Sequence, residues 1–489
     1  MKTSHFTASL SVLLLAACGG GGGSTSTDSA VGATPTPTPS KTIVAVGPIS
    51  GFGSIIVNGT KFDTSSAQFT VDEVNGSQSD LKVGQVVTVK GTLDAQGNAK
   101  ADSVLFDELV EGPITSIDLE LGEIVVLGQT ILISEDTSFD DSPQKPTLED
   151  LMVGDGIEVS GTFDENGNII ASLIDPKPGN GIYEISGFIT NLNTAAMTFE
   201  FNGLTVGYAN AGLPEFGQEG PTEGDFASVK GRNFDNGGTF LATRVKNENE
   251  NANPGEDGDE AEIEGVITEF TSAESFSIGG IAVITNADTE FEDGSAADLG
   301  LGVRVEVEGE FNEDGVLVAD EVEFEIESTI RVRATVDAVD VEAGTITICG
   351  VTFNASLNTR FDDKSDARLS TFGLANIEVG DTVRLDSFRT ADGSLTATRI
   401  RREDSRDSIE LQDVATAIDA DTLSILGVTI VVDENTEFEG LDDNDDITQA
   451  EFFAAIDGTR IVEVEGVKLE DGTLLAEELS FEDDDDDDD

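Results

Sequence analysis

One sentence recurs along this chain. GTLDAQGNAKA (91–101) returns as GTFDENGNIIA (161–171), and laying the chain against itself finds the same passage six times. Four landmarks come in fixed order. The first is an apolar hairpin with a central glycine, Gly59, Gly128, Gly203, Gly280, Gly350 or Gly427, spaced 69, 75, 77, 70 and 77 residues apart. The second is a Thr-x-Phe step, at Thr137, Thr289, Thr359 and Thr436, with no clean version in copies one and three. The third is a turn entering an alternating strand, as in LMVGDGIEVSG (151–161), with glycines Gly84, Gly154, Gly224, Gly302 and Gly380. The fourth is a turn at Gln96-Gly97, Asn166-Gly167, Asn236-Gly237, Asp314-Gly315, Asp392-Gly393 and Asp471-Gly472, followed by a short strand carrying Ala101, Ala171, Ala242, Ala319, Ala397 or Ala476.

Residues such as Val303-Arg304-Val305-Glu306-Val307-Glu308 alternate apolar and charged. Period two puts valines on one face and charge on the other, the pattern of a sheet with one wet side. Asn-Gly and Asp-Gly pairs between such strands suit hairpin turns. The hairpin glycines serve either another tight turn or a bulge, which spacing does not separate. Each unit offers five or six short strands, and closing so small a sheet into a barrel removes its edges. The expectation is an all-β chain of six tandem small antiparallel β-barrels, strung like beads with modest interfaces; small β-sandwiches are the second choice. Segments such as PTLEDL and DITQAEFFAAI predict a helical turn over the barrel mouth.

Copy two carries the whole pattern: Gly112, Ile114, Ile117, Leu127, Gly128, Thr130, Thr137, Phe139, Leu151, Val153, Gly154, Asp155, Val159, Gly161, Phe163, Gly167, Ala171 and Ile174. It resembles a family of bacterial exported proteins known only as a domain of unknown function, DUF5666. The resemblance covers about residues 45 to 482, with departures at Ser387 in copy five and in the loops of copy three. It implies tandem OB-like barrels and no assigned activity. The units fall at 45–108, 109–178, 179–248, 260–328, 329–403 and 407–482, with an acidic linker at 249–259 and a run of aspartates at 483–489.

The chain opens with a positive residue and an apolar run ending Leu15-Ala16-Ala17-Cys18. This reads as a signal peptide over 1–18 and resembles the bacterial lipobox, which implies acylation of Cys18 and a firm bilayer anchor. Residues 19–44, rich in Gly, Ser and Thr-Pro, read as a tether. Gly19 after the cysteine points to an outer-membrane lipoprotein, on either face of that membrane.

The only histidine, His5, lies inside the signal peptide, so the mature chain has no imidazole for a triad or a metal. Cys349 is then the one free thiol, in a hairpin slot filled by Asn58, Leu127, Asn202, Gly279 and Leu426 elsewhere, and so not a catalytic position shared by the units. With 97 acidic against 26 basic side chains the formal net charge is −71, which repels nucleic acid. No polar cluster recurs in all six copies; what recurs is turn glycines and core aliphatics. The expectation is a non-enzymatic, lipid-anchored envelope protein, a spacer or a binder of an envelope protein or polysaccharide. An accessory role in binding calcium or polysaccharide is the alternative, and a hydrolase using carboxylates alone ranks last. No cofactor is expected beyond weak Ca2+, for which Asp442, Asp443, Asn444, Asp445 and Asp446 are the candidate loop.

Overall fold

The computed structural model describes residues 41–481 except 95, 120, 135, 141–146, 178–180, 219, 327, 370, 391–392, 441–446 and 470. Cys18, the loop from Asp442 to Asp446 and the aspartate tail lie outside the described residues.

Unit 2 shows how the repeat folds. Its strands are Val110–Asp118, Glu123–Val126, Gln129–Leu132, Gly156–Phe163 and Ile169–Pro176. The first pairs with the second and the second with the third, both antiparallel. The third runs parallel to the fifth, the fifth antiparallel to the fourth, and the fourth returns to the first. That ring of five is an OB-like barrel, and the other units repeat its strand order. Closure pairs the backbone on every edge, while alternate residues such as Ile124, Val126, Ile131, Ile157 and Val159 fill the inside without exposure.

The landmarks explain one another. Both residues of each hairpin loop have positive φ, for example Leu127 at 51° and Gly128 at 79°, and Val126 faces Gln129 across them. This is a two-residue type I′ turn, whose twist matches the strands, so the alternative of a bulge is settled in favour of the turn. All six loop glycines take φ between 69° (Gly59) and 94° (Gly280). In the third landmark Gly84, Gly154, Gly224, Gly302 and Gly380 also have positive φ, and their N–H groups donate to first-strand carbonyls of Ile49, Ile114, Ile189, Ile267 and Val336. The Thr hydroxyls at 137, 289, 359 and 436 donate at 2.7–2.8 Å to the carbonyls of Ala171, Ala319, Ala397 and Ala476. The second landmark is thereby fastened to the fourth.

The recurrent alanine sits at a bulge. Gly161 faces Ala171, while its neighbour Ser160 faces Leu173. A Cβ on Gly161 would stand 2.1 Å from the carbonyl oxygen of Ile170, so the strand approach needs glycine there. In the fourth landmark of unit 3, the left-handed glycine is Gly238 and not Gly237, because one extra residue lies between Gly231 and the turn. The helical turns over the barrel mouths are present as 3₁₀ turns at Gln78–Asp80, Leu148–Asp150 and Leu374–Asn376, and as a helix at Gln449–Ala455. That helix is capped by Thr448, whose hydroxyl accepts from the Glu451 N–H, and it plugs the barrel with Phe452 stacked 4.3 Å from Phe481.

The barrels are not beads. The first strands of units 2 and 3 pair antiparallel, as do those of units 5 and 6. The first strands of units 1 and 4 pair in parallel, Ile43–Val46 beside Glu260–Ile263, although two barrels intervene in sequence. The expected string gives way to three fused pairs, because each first strand is long enough to carry a second neighbour. Units 2 and 3 share one apolar core, as do units 5 and 6. The first strand of unit 1 begins at Lys41, inside the stretch read as tether. Part of the segment read as linker is a helical turn, Asn249–Ala252, beside the buried Glu248.

Candidate functional site

Unit 1 carries a hairpin, Gln68–Val71 and Val74–Gly76, that has no counterpart among the described residues of the other units. Its turn residues Asp72 and Glu73 both have positive φ, 48° and 64°, where Asn-Gly is the usual choice. The tip lies where units 1, 2 and 3 meet: the Asp72 N–H donates to the Phe106 carbonyl at 2.9 Å and the Glu73 N–H to Asp107 Oδ1 at 3.2 Å. The Glu73 carboxylate is paired with Arg244 of unit 3 and stands 3.9 Å from Lys230.

Facing the tip is a row of acids in register across four strands. Glu184 of unit 3 stands opposite Glu111 of unit 2, Glu111 opposite Glu158, and Glu158 opposite Asp175. Like charges directly opposed weaken a sheet unless something answers them. Lys177 answers Glu158 at 3.0 Å and Asp175 at 2.8 Å; Lys82 of unit 1 answers Asp175 at 2.6 Å. Lys230 and the Ser228 hydroxyl each reach Glu184 at 2.6 Å. Glu108, 4 % exposed, is answered by no cation among the described residues and hydrogen-bonds instead with the carboxyls of Asp72 and Glu184. Burial, with Asp72 and Glu184 beside it, pushes Glu108 up to about 12. Burial also lifts Glu158 to about 7 against the pull of Lys177, and Asp107 to about 7 with Glu248 adding to the rise. One oxygen each of Asp72, Glu108 and Glu158 lie within 4.8 Å of one another. A cavity of about 170 Å³ adjoins, bounded by Asp107, Glu108, Glu248 and apolar side chains that include Phe163 and Phe226.

A second acidic array covers one face of unit 4. Glu262 stands opposite Glu308, Glu264 opposite Glu306, and Glu306 and Glu308 opposite Glu323 and Glu321. Burial and the neighbouring carboxylates raise Glu306 to about 9. Arg304 relieves one corner, reaching Glu264 and Glu325 at 2.6 Å.

Cationic side chains serve elsewhere as clasps. Arg399 of unit 5, 1 % exposed, grips Asp362 at 2.7 Å and donates into unit 2, to the Thr137 carbonyl at 3.1 Å and Ser138 Oγ at 2.8 Å. Arg360 and Lys364 donate to the carbonyls of Asp136 and Phe139 beside it. Cys349 is half-buried, at φ 52° in its hairpin, and burial lifts its thiol to about 11, which leaves it protonated.

Of the residues singled out in the sequence, the turn glycines are spread through all six barrels and converge on no site. Asp72, Glu108 and Glu158 were missed because they come from an extra turn, the short connection between units 1 and 2 and a barrel strand. The signal available was the passage TVDEVNG (70–76), which has no counterpart in the other copies.

Comparison with solved structures finds Drosophila Unr CSD456, 14 % identical, covering 44 % of this chain and 95 % of that one with a TM-score of 0.11. It also finds a multidomain protein with nucleic acid binding domains from Streptococcus pneumoniae TIGR4, 13 % identical, covering 44 % and 72 % with a TM-score of 0.12. A search of curated proteins finds no match. The domain of unknown function DUF5666 matches at residues 43–104, 111–175, 186–246, 264–323, 333–401 and 414–480, one match within each barrel. Six copies covering most of the sequence place the chain in the DUF5666 family.

Proposed function

We propose that this chain is a non-enzymatic scaffold of the bacterial cell envelope, anchored by acylation of Cys18 and holding a rigid acidic body off the outer membrane. The observation that carries the reading is where the polar side chains go. Arg399, Arg360, Lys364, Lys82 and Arg244 each bind a unit other than their own. Side chains spent on joining barrels leave a body suited to bearing load or presenting a surface, with excess carboxylates to keep it hydrated. An envelope protein or polysaccharide is the partner this surface would meet, and a polyanion such as nucleic acid is disfavoured.

The test has two arms. Cells expressing the chain are labelled with radioactive palmitate and fractionated, beside Cys18→Ser. Wild-type label in the outer-membrane fraction, absent from the variant, is the expected result; an unlabelled soluble wild type overturns the anchor. Small-angle scattering on the same protein should give one compact body, and an extended, flexible profile overturns the scaffold.

A further inference from the structure

We infer that the cavity bordered by the glutamate array of unit 4 binds a linear aliphatic polyamine, its ammonium groups lying along the carboxylates and its methylenes against apolar wall. This does not depend on the anchor or the scaffold role. The cavity holds about 360 Å³ and is walled by four barrels, with Asn58 of unit 1, Asp136 of unit 2, Glu306 of unit 4 and Asn358 of unit 5 among its lining. That volume lies in the range of small-molecule sites. Six acids line it, Asp136, Glu264, Asp293, Glu306, Glu323 and Glu325, against a single lining cation among the described residues, Arg360. Arg360 is spent on the Asp136 carbonyl, and Arg304 nearby on Glu264 and Glu325.

The second observation is Glu306 itself. It is 8 % exposed, it lines the cavity, and among the described residues no N–H, O–H or cation answers its carboxyl group. A buried carboxylate in that state is costly until a proton or a bound cation satisfies it. A proton answers Glu306 alone and leaves Glu323 and Asp293 repelling each other in the same cavity.

Geometry separates an amine from a metal. Glu264, Glu306 and Glu323 stand opposite one another across three strands. Neighbouring strands lie about 4.8 Å apart, so the row is a line about 10 Å long and not a cage. Among the described residues no three acids of this row bring their oxygens within 4.8 Å of one another. A single ion gathers its oxygen ligands around a point. A chain with an amine after every three methylenes meets them one at a time, at nearly the spacing of the strands. Phe324 and Phe388 line the same cavity, giving the methylenes an apolar surface and the ammonium groups ring faces that attract them.

The full chain, dialysed free of amines, is titrated calorimetrically with the linear triamine dipropylenetriamine, beside propylamine and magnesium chloride, all at fixed ionic strength. We expect one saturable equivalent of triamine, with neither control saturating in the same range. Glu306→Gln should weaken the triamine by about ten- to a hundredfold, the worth of a hydrogen bond to a charged group. Carbodiimide, which joins amines to carboxyls, should couple the triamine to the half-buried Glu323 of the wild type ahead of the exposed Asp471, as read by mass spectrometry; this arm requires no variant to fold. Trilysine, a basic peptide, should compete poorly for so small a space. Heat indistinguishable from that of sodium chloride, saturable binding that survives Glu306→Gln, or coupling that favours the exposed acids would each overturn the site, and trilysine binding more tightly than the triamine would overturn the choice of a small amine.

Discussion

Glu306 shows what the excess of acid does to a single residue. It is 8 % exposed and surrounded by Glu264, Glu323, Glu262 and Glu308, so burial and then those charges raise it to about 9. Glu262 is lifted to about 7 by burial, against a hydrogen bond from Thr60. A carboxyl whose folded value lies above its unfolded one adds stability below the ordinary carboxylate range and loses it as pH rises through the folded value. The melting temperature in metal-free buffer should therefore fall from pH 5 to pH 9, between the ordinary value of 4.5 and the raised 7 and 9. Glu306→Gln should flatten that slope and recover on the order of 2 kcal/mol at the alkaline end. Melts at stepped pH check this, and a midpoint that climbs toward pH 9 contradicts it. Asp363 works in the opposite sense. Burial opposes its charge, but Arg402 and local N–H donors hold it at about 2, so its contribution is lost only in strong acid.

At the scale of the strand, the informative position is the bulge glycine. A Cβ on Gly466 would meet the Leu475 carbonyl oxygen at 2.2 Å, and on Gly309 the Val318 oxygen at 2.1 Å. In unit 5 the same register step holds Ser387, fully buried and facing Ala397. Gly466→Ala should cost about 1–3 kcal/mol, the range for overpacking, whereas Ser387→Gly should cost less than about 1 kcal/mol, as a glycine is native at this step elsewhere. Denaturant midpoints of the two variants decide it, and equal losses would sink the argument. Much of this scale was legible beforehand. The Val-x-Val alternation, the Asn-Gly turns and the recurring glycines are local requirements, and local requirements repeat wherever the unit repeats. Pairing between units was not legible. Ile43 and Glu260 carry no mark of each other, since parallel ladder bonds are made by backbone, which every residue has. The Asp72 turn was hidden for a related reason: a hairpin inserted once looks like loop irregularity when six copies are compared.

For the whole molecule, the clasp between units 2 and 5 matters most. Arg399→Met leaves Asp362 buried without its partner and strips Thr137 and Ser138 of their donor. Breaking a buried pair from one side costs about 3–5 kcal/mol. Calorimetry should then show a lower melting temperature and a second transition as the pair of units 5 and 6 unfolds apart from the rest. An unchanged single peak would mean that the clasp contributes nothing to holding the barrels together.

The parallel ladder between units 1 and 4 has a consequence for how the chain comes into being. Ile43 waits for Glu260, 217 residues further on, before its outer edge is covered. A polypeptide delivered amino end first, whether from a ribosome or through a membrane channel, presents that edge while its partner is still arriving. Barrels 2 and 3 can close and fuse in the interval, because their joining strands are near neighbours. Barrel 1 can close on its own five strands, but its Ile43–Val46 edge stays open until half the protein has emerged. The edge left open longest is thus the one between barrels 1 and 4, and the interval before it locks is when the growing chain is most open to pairing with a second copy of itself.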